Sequence, residues 1–364
     1  MIATGQFAWP EQKREVTMLN RIQFVRNALA SAALAALAFA TPAAAQEVTL
    51  KLHQFLPAGA NVPKLVLDVW ANKIEADSGG RVKIERYPSM QLGGKPGELY
   101  DQARDGAVDL VWTVNGFTPG RFPRAEVFEL PFMMTNAEAT SRAYWELFEK
   151  EMKDTDFKDV HVIGAWVHGP GMLHTNRPVA TMDDMKGMKF RAPSRMIAML
   201  LEELGATAIG MPVTAIPESL SKGVIDGAVI PWEVTTSLKV PELVKNHTEF
   251  PEGDSLYTVT FTLSMNKARY DGLPDDLKAV FDANSGLEFS AFAGKTQASS
   301  DGPARELAVA AANNIITLSA EDAQKWRAAA QPVYDKWAAE MDGKGLDGKA
   351  MIAEAQALIA KYTK

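Results

Sequence analysis

The sequence predicts an α/β protein of two lobes, on three observations. Its 364 residues are more than one ordinary core accommodates before a chain divides. From residue 48 to about 168, strand-like and helix-like segments alternate, the mark of a largely parallel sheet with helices on its faces. A second series of the same kind starts at LHTNRP (173–178), and a long β-rich run, LYTVTFTLSMN (Leu256–Asn266), is suited to pass from one lobe to the other.

The N-terminal segment is read apart from the fold. Met18 opens MLNRIQFVRNALASAALAALAFATPAAAQEV, with Arg21 and Arg26 as a basic start, an apolar run from Ala28 to Ala40, and Ala43-Ala44-Ala45 before Gln46. The apolar run is too short for a bilayer span and the small residues form an A-x-A cleavage signal. The expectation is a signal peptide over 18–45, cleaved after about Ala45, with 1–17 a mis-assigned extension. Removing 1–45 takes away four basic residues (Lys13, Arg14, Arg21, Arg26) and two acidic ones (Glu11, Glu15), moving the net charge from −7 to −9. With 47% hydrophobic and 23% charged residues and no cysteine, the chain reads as a soluble exported protein of a bacterial periplasm, without a disulfide framework and without a basic cluster for nucleic acid. No later segment is long and apolar enough to embed it in a membrane.

The elements follow in order. VTLKLHQF (48–55) is a first strand. Val62, Val66, Trp70 and Ile74 recur at i+4 and make one face of a helix. GGRVKIERYP is a strand between Gly-Gly and Pro. KPGELYDQARDGAVDLVWTV gives a helix, a turn and a buried strand over 109–114. Thr135 and Glu138 form a capping-box pattern opening a helix to about Lys150. HVIGAWVH is the next strand. The second series contains a strand at Lys189–Arg191, a helix to Leu204, ATAIGMP, a short helix at 217–222 and GVIDGAVIPWE. The remainder reads as helices over 274–298, 303–312, 319–341 and 348–362 around a strand-like NIITL. The lobes are expected at 46–168 plus about 257–296, and at 169–256 plus about 297–364.

DDMKGMKFRAPSRMIAML places an arginine at the end of a strand. Period two sends Phe190 to one face and Arg191 to the other, and Pro193-Ser194 ends the strand before a helix. Ligands of open α/β sheets bind at such carboxyl ends, and a guanidinium matches a carboxylate with two parallel bonds. From position alone Arg191 reads equally as a ligand clamp or a structural ion pair.

Four stretches, in this order behind a signal peptide, resemble the substrate-binding proteins of tripartite ATP-independent periplasmic (TRAP) transporters, of the dicarboxylate-binding type. They are GGRVKIERYPSMQLGG, ARDGAVDLVWTVNGFTPGRFPRAEVFELPFMMTNAEA, HTNRPVATMDDMKGMKFRAP and LGATAIGMPVTAIPESLSKGVIDGAVIPWE. The resemblance spans nearly the whole mature chain. It implies a two-lobed periplasmic-binding fold, type II-like, with hinge strands and a long helix crossing both lobes. It implies capture of a small organic carboxylate and delivery to the membrane subunits of a TRAP permease. Within DxKGxKxR it gives Arg191 the ligand's carboxylate.

Two departures from the family pattern shape the expected pocket. A second arginine common before the Thr-Asn pair is replaced at Gly171, and the asparagine of a DGxENP run is replaced by Ile230 in DGAVIPWE. Both withdraw polar grip. Trp166, His168, Phe117, Phe55 and Trp232 stand near strand ends in the corresponding regions, with Met172 beside them and Glu233 next to Trp232. For Phe55 and Met172 core packing is the simpler reading. The expectation is a monocarboxylate with an aromatic or branched apolar body, its charge on Arg191, its body against Trp166, Trp232 and Phe117, Gly171 opening space beside the carboxylate, and His168 bonding an oxygen. A C4-dicarboxylate is the alternative.

Nothing proposes catalysis. The five histidines form no HExxH or other close metal pattern, no G-x-S-x-G is present, and GKGLDG (343–348) follows a helix rather than a strand. No enzyme activity, cofactor or metal is therefore expected. A periplasmic hydrolase and a ligand-reporting sensory protein are the competing classes.

Overall fold

The computed structural model describes residues 48–363; the expected signal peptide, its cleavage site and the extension before Met18 lie outside the described residues. Two sheets organise the chain. The first contains β1 (Val48–His53), β2 (Val82–Tyr87), β3 (Leu110–Val114), β4 (Val160–Val167) and β10 (Thr260–Asn266), in the order β2-β1-β3-β10-β4. β1 runs parallel to β2 and β3, and β10 inserts antiparallel between β3 and β4. β3 is buried along its whole length, which is why it reads as a continuous apolar run rather than an alternating one.

The second sheet contains β5 (Gly171–Thr175), β6 (Lys189–Ala192), β7 (Thr207–Gly210), β8 (Gly227–Pro231), β9 (Asn246–Glu249) and β11 (Asn314–Thr317), in the order β11-β9-β5-β8-β6-β7. β8 lies between antiparallel β5 and parallel β6, so its carboxyl end and that of β6 open side by side.

The sheets are joined by two neighbouring segments. Residues 168–170 carry the chain from β4 to β5, and residues 250–259 carry it back from β9 to β10. The two segments bond to each other: Gly171 N–H donates to Tyr257 O at 2.9 Å, and Thr258 Oγ1 donates to His168 O at 2.9 Å. The expected long β-run is therefore a crossing segment followed by a strand that starts at Thr260. A further crossing follows the helix Leu287–Ala298, where the chain enters the helix Asp301–Ala310.

Several local expectations change on inspection. The helix Ala137–Leu147 is capped by the side chain of Asn136, which accepts from Ala139 N–H, rather than by Thr135. The expected helix 274–298 is two, Asp275–Ala283 and Leu287–Ala298, separated by Gly286 at φ 88°, a conformation that suits glycine. The expected helix 319–341 divides at Ala330 into Ala320–Ala329 and Gln331–Gly343, with a proline in the first turn of the latter. This pair touches both halves: Arg327 and Tyr334 donate to the carbonyls of Phe132 and Pro131, while Lys336 pairs with Glu203. The C-terminal helix Gly348–Tyr362 packs on Ala137–Leu147, beside the first sheet. The expected boundary gave it to the second lobe. Met351, Ala355 and Ile359 make its buried stripe, and Lys361 and Tyr362 both bond Glu146.

Candidate functional site

Arg191 lies in β6, 3% exposed. Its neighbours Phe190 and Ala192 pack in the core, and its guanidinium is held by backbone. Nε–H donates to Met211 O at 3.0 Å and Nη1–H to Val229 O at 3.2 Å, while Nη2 bonds nothing among the described residues. No carboxylate pairs with it there either. Burial lowers its pKa to about 10, with Tyr257 pulling the other way. A buried cation without a counter-ion costs several kcal/mol, and five N–H donors in a rigid fork are more than two carbonyls satisfy.

The guanidinium lines a cavity between the two sheets. Its first-sheet wall is aromatic. Phe55 stacks on Trp112 at 4.5 Å between centroids and meets Phe117 edge-on at 5.3 Å. Trp112 stacks on Phe261 at 5.5 Å. Val114 and Val259 complete that wall, and Val213, Ile230, Pro231 and Val234 form the opposite one.

Two residues of the hinge add polar atoms. His168 is buried, with Nδ1 against Gly169 O and 3.2 Å from Thr258 Oγ1. A ring nitrogen facing a carbonyl carries the proton, so Nε2 is the acceptor of this tautomer. Burial, with a smaller contribution from Arg191, lowers its pKa to about 4, and the ring is neutral at pH 7. Tyr257, 1% exposed, has a hydroxyl with no hydrogen-bond partner among the described residues. Its pKa is raised by burial and lowered in part by Arg191.

Of the residues expected at the site, Arg191, His168, Ile230, Phe117 and Phe55 line the cavity, and Trp166, Gly171 and Trp232 do not. Trp166 forms a second layer, stacked behind Trp112 and Phe261, its Nε1–H donating to Gln297 Oε1 at 2.9 Å. Gly171 opens no space: a Cβ there would fall 2.0 Å from Tyr257 Cε1. Trp232 follows Pro231, which lines the cavity, and turns to the other side of the sheet. There its Nε1–H donates to Glu249 Oε1 at 2.8 Å and its ring packs on His174 and His247. Met172 belongs to that same cluster. Sequence reasoning missed Trp112, Tyr257 and Phe261. The signal for Tyr257, Val259 and Phe261 was their alternation in LYTVTF, which puts all three on one face.

Glu233, also on the lining, is 3% exposed. Gln297 Nε2–H donates to its Oε1 at 2.8 Å and Asn61 Nδ2–H reaches its Oε2 at 3.5 Å. Burial raises its carboxyl to about 7 against these two bonds. No group of three or more metal-ligating side chains occurs among the described residues, and none of the described helices is long and apolar enough to cross a membrane.

A sequence profile of the bacterial extracellular solute-binding proteins, family 7, matches residues 54–340. The chain belongs to this family. A TRAP solute-binding protein from Rhodoferax ferrireducens, solved with copurified benzoate, is 50% identical with a TM-score of 0.85, over 86% of this chain and 98% of that one. Another, from an unidentified marine microbe, described as specific for aromatic acids and solved with metahydroxyphenylacetate, is 46% identical with a TM-score of 0.85, over 87% and 100%. The C4-dicarboxylate-binding periplasmic protein DctP of Rhodobacter capsulatus is 25% identical over 91% of this chain and 98% of its own length. This family 7 protein is thus a solute-binding component of transport, with the two-lobed α/β fold of its relatives, and not an enzyme.

Proposed function

We propose that this protein captures an aromatic monocarboxylate in the periplasm and delivers it to the membrane subunits of a TRAP permease. One observation carries the reading: Arg191 is buried with no carboxylate partner among the described residues, in a cavity walled by Phe55, Trp112, Phe117 and Phe261. A ligand carboxylate supplies the missing anion through the unused edge of the guanidinium, and the Tyr257 hydroxyl has a free proton to donate to it. An aromatic body matches the stacked rings. A second carboxylate would need a second cation, and Arg191 is the one basic side chain on the lining apart from neutral His168. The Rhodoferax and marine relatives, solved with aromatic acids, support the same reading.

Calorimetric titration of the mature protein with benzoate, mandelate, succinate and malate tests this. Binding of the aromatic acids with at least tenfold preference is expected. Binding of succinate or malate alone would overturn the reading in favour of a dicarboxylate.

A further inference from the structure

Besides Arg191, the cavity presents a second polar position that clamping a carboxylate does not use. Glu233 and Gln297 both line it. Glu233 opens the short helix Trp232–Thr235 after β8, and Gln297 lies in the last turn of the helix Leu287–Ala298 beside the first sheet. Arg191 reaches the same cavity from β6, so the two groups come from different elements, with the aromatic wall completing the enclosure.

The bonds made by Glu233 leave capacity unused. Gln297 gives Oε1 a bond of 2.8 Å, but Oε2 receives only the 3.5 Å approach of Asn61, the outer limit of a hydrogen bond. Asp301 accepts from the backbone N–H of Glu233 at 2.8 Å, its Oδ2 bonds nothing among the described residues, and burial beside Glu233 raises its pKa well above the usual carboxylate value. A buried carboxyl can accept about four hydrogen bonds, and burying one beside apolar rings is costly unless a donor arrives. A link between the sheets alone would not require a carboxyl at this point, since Asn61 also donates to the backbone carbonyl of Glu233 at 2.9 Å.

We propose that Glu233 is the specificity-determining residue for a hydroxyl on the ligand. With the carboxylate on Arg191 and the ring against Trp112 and Phe261, a hydroxyl at the meta or para position of the ring donates to Glu233. The preferred ligands are then hydroxylated aromatic acids rather than unsubstituted ones. This rests on the aromatic-acid reading of the site.

The test is calorimetry of 3- and 4-hydroxybenzoate against 3- and 4-fluorobenzoate, with benzoate as reference, on the mature protein and on Glu233→Gln. Fluorine fills the position but donates nothing. At about pH 8, above the raised pKa of Glu233, at least one hydroxyl acid is expected to bind about tenfold or more tighter than its fluoro counterpart, as for a hydrogen bond to a charged acceptor. That ratio is expected to fall about fivefold or more in Glu233→Gln. An equal ratio in both proteins, or no hydroxyl advantage in the natural one, overturns the role of Glu233 while benzoate binding upholds the aromatic-acid reading. A natural protein that binds none of the five acids overturns both. Should Glu233→Gln fail to fold, the same ratio measured on Glu233→Asp, whose carboxyl is withdrawn by one methylene, decides in its place.

Discussion

The ring of Tyr257 occupies the place a side chain at position 171 would need: a Cβ on Gly171 would lie 2.0 Å from Cε1 and 2.6 Å from Cζ of that ring. The absence of a side chain at Gly171 thus admits a tyrosine from the neighbouring crossing segment, which brings to the cavity that holds Arg191 a hydroxyl without a partner among the described residues. Tyr257→Phe removes that hydroxyl and nothing else. It should leave the ligand-free protein as stable or slightly more so, because a buried unpaired polar group is lost. Benzoate affinity should fall about tenfold or more, the effect of one hydrogen bond to a charged acceptor. Gly171→Ala should cost about 1–3 kcal/mol in denaturant unfolding by overpacking the hinge.

Trp232 separates packing from binding. Its indole bonds Glu249 and packs on His174 and His247, away from the cavity. Trp232→Phe should lower stability by about 1–3 kcal/mol through lost volume and the lost bond. Benzoate affinity, measured by calorimetry on the folded variant, should stay within about threefold. A large loss of affinity without loss of stability would return Trp232 to the site.

A pH effect follows from Glu129. It is 1% exposed, accepts from Thr260 N–H at 3.0 Å and Thr260 Oγ1 at 2.7 Å, and burial raises its pKa from 4.5 to about 7 against these bonds. Between those values the folded chain keeps a proton that the unfolded chain has released. This contribution is therefore fully present below pH 4.5 and is lost as pH rises through 7. The loss is about 3 kcal/mol. Glu129→Gln keeps an acceptor and removes the titration. The stability of the variant minus that of the natural protein, from urea unfolding, should grow by about that amount between about pH 4.5 and pH 8. A difference independent of pH would contradict the account.

What could be read from the sequence follows from where its signals are local. The β6 strand, its alternation of Phe190 and Arg191 and the stop at Pro193 are set by residues within a few positions, and the structure has them so. The second sheet was harder to read. β9, Asn246–Glu249, is a polar stretch that no strand pattern marks, yet all four residues are buried between β5 and β11. Its His247 completes a chain of hydrogen bonds with His174 at 2.7 Å and Asn313 at 3.0 Å. Such burial depends on partners 73 and 66 residues away, which no local window contains. For the cavity, Trp112 lies in a strand buried on both faces, where period two gives no face preference. Trp232 and Trp166 were expected at the pocket because they stand near strand ends, but a buried indole needs a partner, and Glu249 and Gln297 supply it elsewhere.

The central claim is that Arg191 holds the carboxylate of the ligand, and calorimetric titration of benzoate into the natural protein and into Arg191→Met tests it most directly. Methionine spans much of the same reach without charge, and circular dichroism checks that the variant is folded. Removing one partner of a buried charge pair costs about 2–5 kcal/mol, so the dissociation constant should rise roughly 30-fold to several thousand-fold. A folded Arg191→Met protein that binds benzoate within threefold of the natural affinity would contradict the account.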